Sequence, residues 1–169
     1  LEDMSHHAEH LEGDFRKKAS ASPMNRKSGI RGVERSSSSN VWRATMMFMN
    51  MRLFTRFQPD VAVAVEHHII LVEICRRAKA ASNDNDIGNA FTSVLSERST
   101  SLEALGLRAM IQMDIGHGQH RECLRSPMLA VEEVLKLRSQ LVQAKAKGWE
   151  AFRLVWIEML QLPGYVRRR

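Results

Sequence analysis

The side chains that could form a core are concentrated in residues 41–162, which limits what this chain can fold into. Residues 19–40 are rich in Ser, Gly, Arg and Lys and have almost nothing to bury, so packing cannot offset their chain entropy. The longest apolar runs, residues 61–65 and 69–72, are far shorter than the roughly 18 residues of a membrane span. We therefore expect one folded domain of roughly 120 to 130 residues, with no membrane partner.

Positive charge lies mainly near the two ends of the chain. The 169 residues include 25 Lys and Arg and 19 Asp and Glu, so the formal net charge is +6. Residues 14–43 contain eight basic and two acidic residues, and residues 167–169 are all arginine. We expect residues 1–39 to be a flexible arm, basic from residue 14, that follows a phosphate backbone in a salt-dependent way. The alternative is a solvated tail without a specific partner.

Two cysteines, Cys75 and Cys123, are too few for a secreted disulfide framework. The N-terminal residues are acidic and rich in His and show no signal-peptide pattern, so a cytoplasmic location is expected. Both thiols lie near arginines in the sequence, which could lower their pKa and make them redox sensors. Buried, inert thiols are the alternative.

Apolar spacing predicts a mainly α-helical fold with one small β-hairpin. Trp42, Met46, Met49, Leu53 and Phe57 follow helical spacing, which predicts a helix over residues 41–57 whose wide apolar stripe suits a subunit contact. Two extended runs around a turn with two glycines predict the hairpin. The hairpin runs cover residues 107–113 and 120–125, and further helices are predicted over residues 61–81, 87–91, 92–105, 128–147 and 149–162. The sequence shows no internal repeat.

This order of elements resembles a winged helix-turn-helix, and several segments resemble MarR-type transcriptional regulators. Residues 102–107, LEALGL, are similar to the end of that family's recognition helix and the entry to its wing. Residues 86–91 are similar to the first helix of its helix-turn-helix, and residues 116–126 resemble the wing. The resemblance covers about residues 41–162 and implies long dimerisation helices at both ends of the fold.

The resemblance implies a homodimeric, sequence-specific DNA-binding transcriptional regulator, controlled by a small-molecule effector or by thiol oxidation. Residues 40–81 would be dimerisation and core helices, residues 82–125 the DNA-binding lobe, and residues 126–169 the C-terminal dimerisation helices and basic tail. Two recognition helices would then lie about one DNA turn apart. The residues expected to contact DNA are Ser93, Ser96, Arg98, Thr100, Arg121 and Arg125.

Catalytic and metal-binding patterns are weak in this sequence. It contains no nucleophile elbow, phosphate-binding glycine loop or HExxH motif, so we expect neither an enzyme nor a cofactor. His117 and His120 form an HxxH pattern near Cys123 and Asp114. Exposed histidines explain this pattern better than a zinc site, which usually needs four ligands.

Two other functions stay open from the sequence. The chain could be a helical interaction or structural subunit with a basic tail. It could also be a degenerate family member that dimerises without binding DNA, because the turn before Ser93 is short and Glu97 would repel phosphate. A hairpin over residues 107–125 favours the regulator, whereas a helix there excludes it.

Overall fold

The computed structural model describes residues 30–81, 84–115 and 122–162. Five strands form one antiparallel sheet in the order β1-β2-β3-β4-β5. The elements in chain order are β1 Val33–Arg35, β2 Trp42–Phe48, β3 Met51–Phe54, α1 Val61–Lys79, α2 Asp84–Glu97, α3 Leu102–Leu105, β4 Arg108–Ile115, β5 Glu122–Arg125, α4 Val131–Lys147 and α5 Trp149–Leu160. The predicted fold class, a winged helix-turn-helix with one small hairpin, is therefore wrong.

The error originates in residues 41–57, which form β2 and β3 instead of the first long helix. Strand register places Ala44 and Phe48 on the core face of β2 and Met47 on the other face, as the two-residue alternation of a strand requires. Met49 and Asn50 both have positive φ, 45° and 64°, as a tight two-residue hairpin turn requires. The predicted dimerisation stripe on a helix over these residues does not exist.

The predicted β-hairpin is confirmed as β4 and β5, but it is part of a larger sheet. β3 pairs with β4 through the register Leu53 to Ala109, and β4 pairs with β5 through Met113 to Leu124. β1 lies within the predicted N-terminal arm and pairs with β2. Residues 1–29 of that arm lie outside the described residues. Strands from three of the four predicted segments thus share one sheet.

Most of the later helices are confirmed near their predicted positions. Asp60 caps α1, its side chain accepting a hydrogen bond from the Ala62 N–H at 2.8 Å. Gly106 ends α3 in the left-handed conformation with φ 57°, as its place after Leu105 predicts. Gly148 separates α4 from α5. Residues 84–97 form one helix, although the sequence predicts a break within them.

One side of the sheet packs against the helices. Its inner face includes the buried strand residues Val33, Ala44, Phe48, Met51, Leu53, Ala109, Ile111 and Met113. All of these residues except Val33 form one apolar cluster with buried side chains of α1, α2, α4 and α5, such as Leu71, Val94, Leu141 and Trp156. We call these four helices the helical layer. In the described part of the chain, no helix is both long enough and apolar enough to cross a membrane.

The structure contains an internal repeat that the sequence does not reveal. Trp42 in β2 forms a bridge with Gln58, and Ala109 in β4 forms the same bridge with Leu129. Thr45 donates its N–H to the carbonyl of Gly32 at 2.8 Å, and Gln112 donates to Asn50 at 2.7 Å. The first unit contains β1, β2, β3, α1 and α2, and the second contains β3, β4, β5, α4 and α5. β3 belongs to both units.

A hydroxyl side chain anchors each unit in the same way. The Ala44 N–H donates to Thr55 Oγ1 at 3.0 Å, and the Ile111 N–H donates to Ser126 Oγ at 2.8 Å. In return, the N–H groups of Thr55 and Ser126 donate to the carbonyls of Ala44 and Ile111. Thr55 and Ser126 are both buried. Each hydroxyl therefore satisfies a backbone donor that water cannot reach.

Removing either hydroxyl is expected to destabilise the fold. The Thr55→Val and Ser126→Ala variants should each lower the free energy of unfolding by about 1–2 kcal/mol, because a buried N–H group loses its acceptor. Ser96→Ala, on an exposed position of α2, is the control and should change it by less than about 0.5 kcal/mol. Urea denaturation followed by circular dichroism measures all three. Equal stability of Ser126→Ala and Ser96→Ala would contradict the anchoring role.

Candidate nucleic-acid interface

The face of the sheet opposite the helical layer carries most of the polar strand residues. Strand alternation and register place eleven described side chains on it. We call this surface the outer face, and it consists of Glu34, Arg43, Thr45, Met47, Arg52, Phe54, Arg108, Met110, Gln112, Cys123 and Arg125. Four arginines and one glutamate give these side chains a net positive charge.

Glu34 holds two of the arginines in place. Its Oε2 accepts from Arg43 Nη2 at 3.1 Å, and its Oε1 accepts from Arg52 Nη2. Arg52 reaches Glu34 across β2 and also donates from Nε to Thr45 Oγ1 at 3.4 Å. All three charged side chains are between about one fifth and one third exposed. The guanidinium groups thus have defined positions on a solvent-accessible surface.

Two phenylalanine rings support the same arginines. The Arg43 guanidinium carbon lies 4.5 Å from the centroid of Phe54 and 4.7 Å from that of Phe57. The Arg52 guanidinium lies 5.1 Å from the Phe54 centroid. These distances are typical of cation–π contacts. Phe54 is only 4% exposed because the guanidinium groups cover it, whereas Phe57 is 44% exposed at the edge of the face.

The second unit gives its part of the outer face a different chemistry. The position of Arg43 is taken by Met110, that of Arg52 by Cys123 and that of Phe54 by Arg125. Arg108 and Arg125 are exposed. Gln112 is half-buried, and its Oε1 has no hydrogen-bond partner among the described residues. Among the described side chains of this half, no carboxylate holds the arginines as Glu34 does in the first unit.

The predicted recognition-helix residues lie in a different part of the molecule. Ser93 and Ser96 are on α2, and Arg98 and Thr100 are in the segment that follows it. α2 belongs to the helical layer, so these four residues are not on the outer face. Arg121 lies outside the described residues, as do His117 and His120. Among the six predicted DNA-contacting residues, Arg125 is the one that the described structure places on the outer face.

Ser93 belongs to an ion-pair network that joins α1 to α2. Arg77 donates to Ser93 Oγ at 2.9 Å and to both carboxylate oxygens of Glu97, at 2.5 and 2.6 Å. Arg77 also donates to Glu73 at 2.9 Å. Hydrogen bonds from Arg76 and Arg77 lower the pKa of Glu73 to about 2, and the bond from Arg77 lowers the pKa of Glu97. Ser93 and Glu97 are therefore engaged in helix packing.

The two thiols differ in their surroundings. Cys75 is buried in α1, and desolvation raises its pKa to about 11, so its thiolate is scarce near neutral pH. This environment does not support redox sensing at Cys75. Cys123 is exposed on the outer face. Within the described ranges, no group of three or more His, Cys, Asp or Glu side chains is arranged to hold a metal ion.

Sequence reasoning missed Glu34, Arg43, Arg52 and Phe54. The available signal was the alternation in residues 42–48, WRATMMF, where buried Ala44 and Phe48 flank outward positions. The helical spacing of the methionines in the same stretch masked this alternation. Glu34 had no signal of its own, because β1 is three residues long and lies in a polar segment.

Comparisons with known proteins give no match to a family model, a curated protein or a solved structure. The functional argument therefore rests on the geometry of the outer face.

Proposed function

We propose that this protein binds double-stranded DNA through the outer face of its sheet. The observation that carries the proposal is the pair Arg43 and Arg52, both bonded to Glu34 on a solvent-accessible sheet surface. Guanidinium groups are the commonest specific ligands of guanine edges and bind phosphates as well. Strands of a sheet can enter a DNA groove as a helix does. The partner is the one that the sequence analysis predicted, but the proposed surface is different.

The state of the aromatic rings favours a duplex over a single strand. Proteins that bind single strands stack bases on exposed aromatic faces. Here Phe54 is buried beneath Arg43 and Arg52, so its ring is not available to a base. Phe57 is 44% exposed at the edge of the face, but Arg43 covers one side of its ring. The groups that reach solvent are the guanidinium forks, which suit base edges and phosphates of an intact duplex. A role in transcription regulation, as the sequence predicts, would follow from sequence preference in this binding.

The proposal can be tested by comparing two arginines that differ in their position. Selection from a random duplex library with the full chain first yields a preferred duplex. Fluorescence anisotropy then measures the Kd of that duplex for the unaltered protein, Arg52→Gln and Arg98→Gln. We expect Arg52→Gln to weaken binding about tenfold, a loss of about 1.4 kcal/mol. Arg98→Gln removes the same charge from the segment after α2, away from the outer face. It should leave the Kd within about twofold of the unaltered value.

The matched pair separates the outer face from general electrostatics. An equal loss in both variants would show that only net charge matters, and would contradict the proposal. Unaltered binding by Arg52→Gln, or no binding by the unaltered protein, would also contradict it. Circular dichroism spectra and unfolding midpoints that match the unaltered protein exclude misfolding as the cause of a loss.

A further inference from the structure

The width of the outer face limits how it can meet a DNA duplex. Neighbouring strands of a sheet lie about 4.8 Å apart, so three strands span roughly 10 Å and five span roughly 19 Å. The major groove is about 12 Å wide. These spans join strand centre lines, and each outer strand adds about half of that spacing, so the groove admits two neighbouring strands and not three. Either β2–β3 of the first unit or β4–β5 of the second could therefore enter the groove.

The side chains of the first unit suit base edges. A guanidinium that reads guanine must present two N–H groups in a fixed plane. Bonds from Nε and Nη2 to Glu34 and Thr45, with the Phe54 ring beneath, fix the planes of Arg43 and Arg52. The N–H groups left for a base are those of Nη1 and the second N–H of Nη2. Glu34 itself would be repelled by phosphates, but a carboxylate can accept a hydrogen bond from a cytosine amino group. These features favour β2 and β3 as the strands over the bases, with Glu34 on β1 beside them.

The side chains of the second unit suit phosphates. Arg108 and Arg125 are exposed, and neither forms an ion pair with another side chain that the structure describes. The positions equivalent to Arg43 and Arg52 are Met110 and Cys123, which cannot form a guanidinium fork. A freely rotating cation can follow a phosphate whatever the base sequence.

We infer that the two repeated units have different roles in DNA binding, one reading bases and the other contacting phosphates. This inference rests on the proposed function. β2 and β3 of the first unit lie in the major groove and read bases through Arg43 and Arg52, which Glu34 on β1 orients. The second unit lies over the flanking sugar–phosphate backbone and contacts it through Arg108 and Arg125. The internal repeat thus supplies one specific and one non-specific surface on a single sheet.

The test compares charge-removing and charge-keeping variants at one position in each unit. The variants are Arg52→Gln, Arg52→Lys, Arg125→Gln and Arg125→Lys in the full chain. Anisotropy titrations measure Kd for the selected duplex and for a scrambled duplex of the same composition, at several salt concentrations. The ratio of the two Kd values reports base reading. The slope of log Kd against log salt concentration reports the number of phosphate contacts.

We expect both Arg52 variants to reduce the Kd ratio about tenfold, because lysine keeps the charge but lacks the fork. Arg125→Gln should weaken binding to both duplexes equally and make the salt slope shallower by about 1. Arg125→Lys keeps the charge, so its affinity and its salt slope should match those of the unaltered protein.

Several outcomes would contradict these different roles of the two units. One is a reduced Kd ratio for Arg125→Gln, and another is full recovery of the ratio by Arg52→Lys. A third is an Arg125→Gln variant with unaltered affinity and slope. These failures are distinct from failure of the proposed function. In that case the unaltered protein binds no duplex, or Arg52→Gln binds as tightly as the unaltered protein.

Discussion

Replacing Leu53 with alanine is expected to lower the free energy of unfolding by about 3 kcal/mol, within the range for a buried leucine. Leu53 is fully buried in β3 and belongs to the core cluster. Its backbone neighbours are Met46 in β2 and Ala109 in β4. A cavity at this position therefore removes contacts from both repeated units. Guanidinium chloride denaturation gives the free energy of unfolding.

Leu154→Ala is the matched control for this prediction. Leu154 is in α5 and is 62% exposed, so the same truncation should change stability by less than about 0.5 kcal/mol. Trp42 lies in the first unit and Trp156 in the second, and β3 belongs to both units. Tryptophan fluorescence and circular dichroism should therefore give the same unfolding midpoint. Similar losses in both variants, or two separate transitions, would contradict the shared-core description.

Replacing Gly32 with alanine should lower the free energy of unfolding by about 2–5 kcal/mol. Gly32 has φ +88°, where a Cβ costs about 1–2 kcal/mol. A Cβ would also meet the imidazole ring of His68 on α1, and overpacking of this kind adds about 1–3 kcal/mol. His68 is half-buried, its Nδ1 has no partner among the described residues, and desolvation lowers its pKa.

A double-mutant cycle separates the two causes. Adding His68→Ala to Gly32→Ala should recover the part of the loss due to the steric contact and leave the backbone strain. Gly88→Ala is the control, because nothing lies within 4 Å of its Cβ position in α2. Alanine favours a helix interior by up to about 1 kcal/mol, so this variant should be slightly more stable. Additive effects of Gly32→Ala and His68→Ala would contradict the contact.

The sequence predicts the helices better than the sheet, for physical reasons that particular residues show. α1, α4 and α5 were predictable because capping residues and glycines mark their ends, such as Asp60 before α1 and Gly148 between α4 and α5. Residues 42–54 were not, because Met and Leu favour helices and their spacing fits both periods. Tertiary pairing with β1 and β4 decides the outcome.

The internal repeat was invisible because backbone groups carry it. The equivalent bonds join main-chain atoms of Thr45 and Gly32 in one unit and of Gln112 and Asn50 in the other. These side chains share no chemistry beyond small or polar character. The hydroxyls of Thr55 and Ser126 are the exception, but two hydroxyl residues among many give no sequence signal. The candidate interface was missed for the same reason, since it depends on strand pairing.

The position of β3 has a consequence for how this chain can be divided. A fragment that ends after α2 keeps β3, but the edge that pairs with β4 is left open. A fragment that begins at β4 lacks β3 altogether, so β4 also has an unpaired edge. Exposed edges of this kind recruit strands from other chains. Neither half is therefore a self-sufficient folding unit, and a cut between them would favour exchange of β3 between molecules over two independent monomers.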